Sequence, residues 1–308
     1  MTESVETKLK KFLNLYWLRP ENALITTFKS KAIEEFSVDS PSLDISCGDG
    51  LFMFLHLGGS FEPDFDYFKN TSSKNFSHEK FIDIYDCYDE SYNVPILNFP
   101  NQKFDFGTDW KQTLLDKSIK LDLYKNLILH DNNKKPLPFS DGYFKLIHSN
   151  SIYWIKHPEI LLSEIHRILS DEGVAILEVM TPWHFSTFKK LSIFSEKAIE
   201  ILDRKRRETM PGLKDYEEWK KIIENEGFKI IDVKNIFPNK VVIDFWNIGL
   251  RPISHLLIQM SESLSKKDRL RIKSQWVDIF FELFKPLIEL DTNYDFKESP
   301  YLLFVLKK

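Results

Sequence analysis

The chain has 308 residues, with 42 Lys and Arg against 46 Asp and Glu for a formal net charge of −4. That length can bury a sizeable core, as one large α/β domain with additions or as two small domains, and the acidic balance argues against a dedicated nucleic-acid binder. Two cysteines, Cys47 and Cys87, exclude a disulfide framework and give no metal-ligand spacing, which suits a reducing compartment.

A helix is expected around Leu13 to Phe36, beginning NLYWLRPENALITTF. Next comes SLDISCGDGL, from Ser42 to Leu51, which reads as strand, tight glycine turn and helix start. Such a junction lets backbone approach a ligand and aims helix-terminal N–H groups at it. Only ten glycines occur in the chain, so each position is informative. A strand is predicted over Lys103 to Thr108, ending at Asp109, and is followed by a helical pattern in Leu114, Leu115, Ile119 and Leu123. Asn126 to His130 is a strand ending at Asp131. Tyr143 to Ser149 is another, behind the turn Ser140-Asp141-Gly142. A helix from Pro158 to Leu169 ends in the breaker Ser-Asp-Glu-Gly, before a strand from Val174 to Val179 that Thr181-Pro182 closes. Tyr216 to Val233 gives one more helix and strand. An aromatic stretch, VVIDFWNIGLRPISHLLIQM, precedes an amphipathic helix, SQWVDIFFELFKPLIEL, and Tyr301 to Lys308 is a terminal strand. Strand and helix alternate, which predicts a parallel sheet covered on both faces.

Several of these segments together resemble the class I S-adenosylmethionine (SAM) methyltransferases. Asp44, Gly48 and Gly50 match the motif (D/E)-x-G-x-G-x-G, with Ser46 in place of its first glycine. LPFSDGYFKLIHSNSIYW followed by LLSEIHRILSDEGVAILEVMTP is similar to the family's later motifs, and Tyr216 to Val233 and the terminal strand resemble its closing elements. The resemblance implies an α/β fold: a Rossmann-like, doubly wound, mostly parallel sheet with an added helical cap. It divides the chain into a helical extension at 1–40, a core at 41–235 with an insertion at about 58–100, a helical cap at 236–298, and the last core strand at 299–308.

SAM is the cofactor so implied, and no metal is expected. The loop Ser46, Cys47, Gly48, Asp49 and Gly50 would pass under its methionine part, supported by Asp44 from the first strand. Asp109, with Trp110 beside it, would accept hydrogen bonds from the ribose hydroxyls. Asp131 would read the adenine amine, with the Asn132 backbone N–H beside the ring, and Ser149 and Asn150 match the edge where the reactive methyl sits. Lys145 stands where an acid is usual. Asp66 is an alternative ribose acid, set aside because no helix–strand pair follows it. A nicotinamide fingerprint would need glycine at Met53.

The insertion reads first as a surface excursion, and second as a pocket wall carrying Asp83, Asp86 and Asp89. The cap is the expected seat of specificity, and Trp17, Arg19 and Glu21 draw attention because an arginine there could pair with the SAM carboxylate. The catalytic candidates are His148, Tyr153 and His184. His148 has a packed strand residue as its alternative, and His184 a surface loop residue. The basic run Asp203 to Glu208 reads as a solvated helix face. The expected acceptor is a small polar molecule, a sugar or glycan-precursor hydroxyl. The alternatives are a non-catalytic SAM-binding regulatory or scaffolding protein, or a methyltransferase acting on RNA or protein. The charged N-terminus lacks the apolar core of a signal peptide and no apolar run is expected to span a bilayer, so a cytoplasmic location is expected. Oligomeric state is open.

Overall fold

The computed structural model describes residues 3–71, 83–88, 91–186, 193–203, 210–291 and 295–308. Seven strands form one sheet: β1 (Ser42–Ile45), β2 (Phe104–Asp109), β3 (Tyr124–Leu129), β4 (Phe144–Ser149), β5 (Leu169–Met180), β6 (Lys229–Asn235) and β7 (Tyr301–Lys307). Their order is β3-β2-β1-β4-β5-β7-β6, and only β7 runs against the rest. The chain winds outward from β1 to β3, then returns to place β4 on the other side of β1. That reversal opens a crevice at the carboxyl ends of β1 and β4, where open α/β sheets take ligands. This is a Rossmann-like, doubly wound, mostly parallel sheet, as expected.

Local chemistry explains the elements. β1 is buried along its whole length with its polar Ser42 and Asp44 paired inside the chain, and β7 is a nearly continuous apolar run between two neighbours. The helix Pro158–Ile168 starts on a proline and buries Leu161, Leu162, Ile165 and Ile168 at helical spacing. The helix Tyr216–Asn225 is opened by a capping box between Asp215 and Glu218.

Four expectations need correction. The N-terminal helix is two, α1 (Val5–Leu15) and α2 (Pro20–Ala32), because Pro20 cannot continue a helix and restricts Arg19 before it. The breaker Ser-Asp-Glu-Gly lies inside β5: the pairing with β4 shifts between Leu169 and Val174, and Asp171 and Glu172 bulge into solvent. The insertion is no surface excursion. After α3 (Leu51–His56) it forms a short ribbon of Ser60–Phe61 with Ile96–Asn98, and Phe65, Tyr67, Phe68, Ile84 and Val94 are buried. Its aromatics carry the reason, since Phe61 stacks on Phe54 of α3 at 4.9 Å. Asp89, and the run 204–208, lie outside the described residues.

The fourth concerns the expectation that no apolar run is long enough to cross a bilayer. Lys240–Ser261 is long and apolar enough by length and composition to cross a membrane, with mean hydropathy 1.2. It is jointed by a π-helical turn, Trp246–Leu250, whose Trp246, Asn247 and Leu250 are buried. Trp246 Nε1 donates to the Glu21 carbonyl at 2.9 Å and Asn247 Nδ2 to the His184 carbonyl at 2.7 Å, which seats this stretch on α2 and on the end of β5. The long helix Lys266–Ile288 packs along α1.

Candidate functional site

The turn after β1 is built from three left-handed residues, Ser46 (φ 58°), Gly48 (φ 61°) and Gly50 (φ 75°). Gly50 has no alternative, because a Cβ there would lie 2.8 Å from Ser118 Oγ and 3.1 Å from the Tyr124 ring. Gly48 is the opposite case. A Cβ would meet nothing within 4 Å, so that side of the turn is open. A left-handed serine costs roughly 1–2 kcal/mol. Asn132 compensates by donating from Nδ2 to Ser46 Oγ at 2.7 Å, which is how the departure from glycine is tolerated. Cys47 donates its N–H to the Thr108 carbonyl at 2.8 Å, fastening the turn to β2. Burial, with Asp44, Asp109 and Asp49 nearby, holds its thiol well above the usual range, so it is no nucleophile.

Asp109 ends β2 and points at the turn. Its Oδ2 accepts from the Gly48 N–H at 3.0 Å and its Oδ1 from the Lys111 N–H at 2.9 Å. Burial raises its pKa, opposed by those backbone donors. Trp110 beside it is exposed, with the Lys111 ammonium 5.5 Å from its ring centre. Asp131 behaves differently. It is half-exposed, and its Oδ1 accepts from the Asn133 N–H and Nδ2, both at 3.0 Å. Burial would raise its pKa, but the Asn133 hydrogen bonds and Lys134 prevail and lower it. Asp131 thus holds its own turn, and its neighbour Asn132 reaches the glycine turn.

Asp44 supports the turn indirectly. It is buried, accepts from the Tyr124 hydroxyl at 2.6 Å, and so fixes the ring that lies under Gly50. Its other oxygen faces His148 Nδ1 at 2.8 Å, its register partner on β4. On the far side His148 Nε2 stands 3.7 Å from Glu178, an ion-pair distance too long for a hydrogen bond, and Lys29 of α2 lies 3.2 Å from Glu178. Lys29 also donates to the Asn150 carbonyl at 3.2 Å. Burial alone would lower the His148 pKa, but Asp44 and Glu178 pull it up to about 9. Its Nδ1 is taken by Asp44 and its side chain is 2% exposed, which encloses it within the sheet. It is the packed strand residue of its alternative reading.

His184 is fully buried, with its ring 4.8 Å from Phe185 and 4.7 Å from Trp246, and so is no surface loop residue. Tyr153 packs edge-on to Tyr301 at 5.6 Å, and its carbonyl accepts from the Gly212 N–H at 3.1 Å. Ser149 closes β4 completely buried. At this rim Thr108 Oγ1, Asn132 Oδ1, Ser149 Oγ and Ser151 Oγ are buried with no hydrogen-bond partner. Most buried polar atoms are paired, so four unpaired oxygens near the ends of neighbouring strands leave acceptors free at this rim, as single unpaired atoms do elsewhere in the chain.

The sequence missed the contribution of the insertion. Tyr67 donates its hydroxyl to Asp49 at 2.5 Å, while Asp49 Oδ1 accepts from the Leu51 N–H at 3.2 Å at the start of α3. Tyr85 takes a hydrogen bond from Asn22 and lies 5.8 Å under the Arg19 guanidinium. Arg19 is paired with Glu21, whose Oε2 is buried without a partner. Asp83 and Asp86 close a capping box on the turn Ile84–Asp86, and Lys111 bonds Asp86 at 2.7 Å. Asp66 is no ribose acid: it accepts from Trp17 Nε1 at 2.9 Å and pairs with Arg269 at 2.6 Å. The acidic-aromatic stretch FIDIYDCYDES was the available signal for the insertion, but nothing local said which strand end it would face.

No protein-family model matches the chain, and no curated protein matches it in sequence. Among solved structures it is similar to a 4+2 cyclase, SpnF, at 13% identity and TM-score 0.49, covering 94% of this chain and 82% of that one. It is also similar to a SAM-dependent methyltransferase of Thermotoga maritima, described as a possible histamine N-methyltransferase, at 13% identity and TM-score 0.47, covering 92% of each chain. A TehB-like SAM-dependent methyltransferase of Corynebacterium glutamicum matches at 12% identity and TM-score 0.43, covering 91% of this chain and 87% of that one.

Proposed function

We propose that the chain is a SAM-dependent methyltransferase that carries a methyl group to a small polar acceptor, the hydroxyl of a sugar or glycan precursor. Asp109 carries this reading: a buried carboxylate fastened to the Gly48 N–H at 3.0 Å, at a rim of unpaired hydroxyl and amide oxygens. An adenosyl group with an amino-acid tail brings ribose hydroxyls, an exocyclic amine and an ammonium, all donors that carboxylate and amide oxygens accept. The residues present fit that group. Asp109 suits the ribose, Asp131 and Asn132 the adenine edge, the open side of Gly48 the methionine chain, and Ser149 and Asn150 the methyl. The Arg19–Glu21 pair suits the amino-acid end, with the guanidinium for its carboxylate and Glu21 Oε2 for its ammonium.

When bound, SAM supplies a methyl activated by its sulfonium. The chain's own part is to align the acceptor hydroxyl behind that methyl and to exclude water. Positioning of this kind can lower a barrier by roughly 7–11 kcal/mol. The insertion and the cap supply the walls, through Tyr67 and Tyr85 on one side and the turn Trp246–Leu250 on the other. With His148 and His184 both enclosed in the fold, Tyr153 is the candidate left to position the acceptor, by a hydrogen bond with its phenol hydroxyl.

Calorimetric titration with SAM and with its demethylated product, followed by a methyl-transfer screen over nucleotide sugars and glycans, tests the proposal. Binding of both, with transfer to a sugar class, is the expected result. Binding without transfer to any acceptor class would favour the regulatory reading, and binding of NAD in place of SAM would sink the proposal.

A further inference from the structure

Between α1, the ribbon after α3 and the long helix Lys266–Ile288 lies a cavity of about 350 Å³, none of whose walls belongs to the glycine turn or the strand ends. That size is within the range of small-molecule pockets, roughly 300–1,000 Å³. Leu15, Leu55, Phe61, Phe65 and Phe281 make most of the wall apolar.

Lys273 lines the same cavity and is 3% exposed. Its ammonium donates to the carbonyls of Pro63 at 3.1 Å and Phe65 at 2.7 Å, which leaves one of its three donors. No carboxylate lies within 4.0 Å of it among the described residues, because Asp66 is taken by Arg269 at 2.6 Å and Asp64 faces Lys266 at 3.9 Å. Burial pulls its pKa down to about 8, with Asp66 and Asp64 opposing from a distance. The other charges at the cavity are mostly committed. Glu6 faces Lys285 at 3.2 Å and Lys11 faces Glu3 at 2.7 Å. Lys10 lies 5.6 Å from the Phe281 ring centre and, like Glu62, has no ion-pair partner among the described residues. Two uncommitted lysines therefore meet one uncommitted glutamate. A buried cation without a counter-charge is unfavourable, and an incoming anion relieves it.

We propose that this cavity binds a small anionic amphiphile, a carboxylate with a hydrocarbon or aromatic body, with its headgroup on Lys273 and its body against Phe61, Phe65 and Phe281. The site stands apart from the methyltransferase reading, and neither depends on the other.

Decanoate, below its micellar concentration, titrated into the full chain by calorimetry, should bind saturably and one to one, and decanol of the same length at least tenfold more weakly. Lys273→Met keeps the length and removes the charge. It should weaken decanoate tenfold or more and leave decanol unchanged. Because Lys273 also braces two carbonyls, the exposed Lys10→Gln is the second variant, and should weaken decanoate roughly threefold with the fold intact. Equal affinity for decanoate and decanol, undiminished binding in both variants, or no saturable binding to the wild type each overturns the proposal.

Discussion

Two rows of polar side chains run across the same strands a few residues apart. Inside the sheet Asp44, His148, Glu178 and Lys29 alternate in charge at 2.8, 3.7 and 3.2 Å. At the carboxyl rim Thr108, Asn132, Ser149 and Ser151 each keep a buried oxygen unpaired. The strands are shared and the burial is similar, so the difference lies in pairing. In the inner row each charge faces an opposite charge, which ties β1, β4, β5 and α2 together although His148 Nε2 and both Glu178 oxygens lack a hydrogen bond, whereas the rim oxygens are neutral and have no hydrogen-bond partner. Removing a member of the first should therefore lower stability, and removing a member of the second should lower binding. The sharpest break is His148→Leu, which leaves Asp44 and Glu178 buried without their shared cation. Losing one partner of a buried ion pair costs about 3–5 kcal/mol. Urea unfolding at neutral pH should read a loss of that size, and a loss under about 1 kcal/mol would show that the inner row holds nothing.

Alkaline pH separates the rows without mutation. The folded-state pKa of His148 is raised to about 9, above its usual 6.5. A group raised in this way stabilises the fold fully below its unfolded pKa, and the contribution is lost as pH rises through the folded one. At about 1.4 kcal/mol per pH unit, the gap is worth about 3 kcal/mol between roughly pH 6.5 and 9. Other groups titrate nearby, so the informative quantity is the stability difference between wild type and His148→Gln. It should shrink across that window. A difference that stays constant would mean that the imidazole is neutral in the fold.

The rim gives smaller effects of the opposite kind. Asp109→Asn keeps the shape and weakens the charge-assisted bonds to Gly48 and Lys111 that orient it, so SAM affinity should fall by about 2 kcal/mol, roughly thirtyfold. Ser149→Ala removes an unpaired buried hydroxyl, so stability should stay level or rise slightly while SAM affinity falls a few-fold. Calorimetric affinities set beside unfolding midpoints distinguish these outcomes. A Ser149→Ala protein that loses stability and keeps its affinity would place Ser149 in the inner row.

What the sequence made legible follows the same division. The glycine turn, the strand ends at Asp109 and Ser149, and the apolar strands were readable because each is a local pattern of a few residues. The break at Pro20 was readable by the same kind of rule, since proline ends a helix before it, yet the apolar run across it reads as one helix. The inner row was not legible. Asp44 and His148 become neighbours only through the order β1-β4, and Lys29 reaches Glu178 only once α2 lies on the sheet. His148 alone gave no sign of two carboxylates around it. The insertion failed for a similar reason: Tyr67 meets Asp49 across the helix α3, a contact that depends on where the ribbon folds back.

Asn132 stands in the rim and also supports the glycine turn, and so gives the finest test. Its Nδ2 donates to Ser46 Oγ at 2.7 Å and supports a left-handed serine, while its Oδ1 is unpaired at the rim. Asn132→Ala removes both functions and should cost about 1 kcal/mol of stability. In a Ser46→Gly background the left-handed position needs no support, because glycine adopts it without strain, so the same alanine change should cost almost nothing. The double-mutant cycle isolates that coupling, expected at about 1 kcal/mol between residues in direct contact. Asn132→Asp then divides the two functions, since aspartate keeps the rim oxygen and loses the donor. If the rim oxygen serves a bound donor, the aspartate should keep most of its affinity in the Ser46→Gly background, where the alanine loses it. Equal loss in both would leave Asn132 a support for the turn alone.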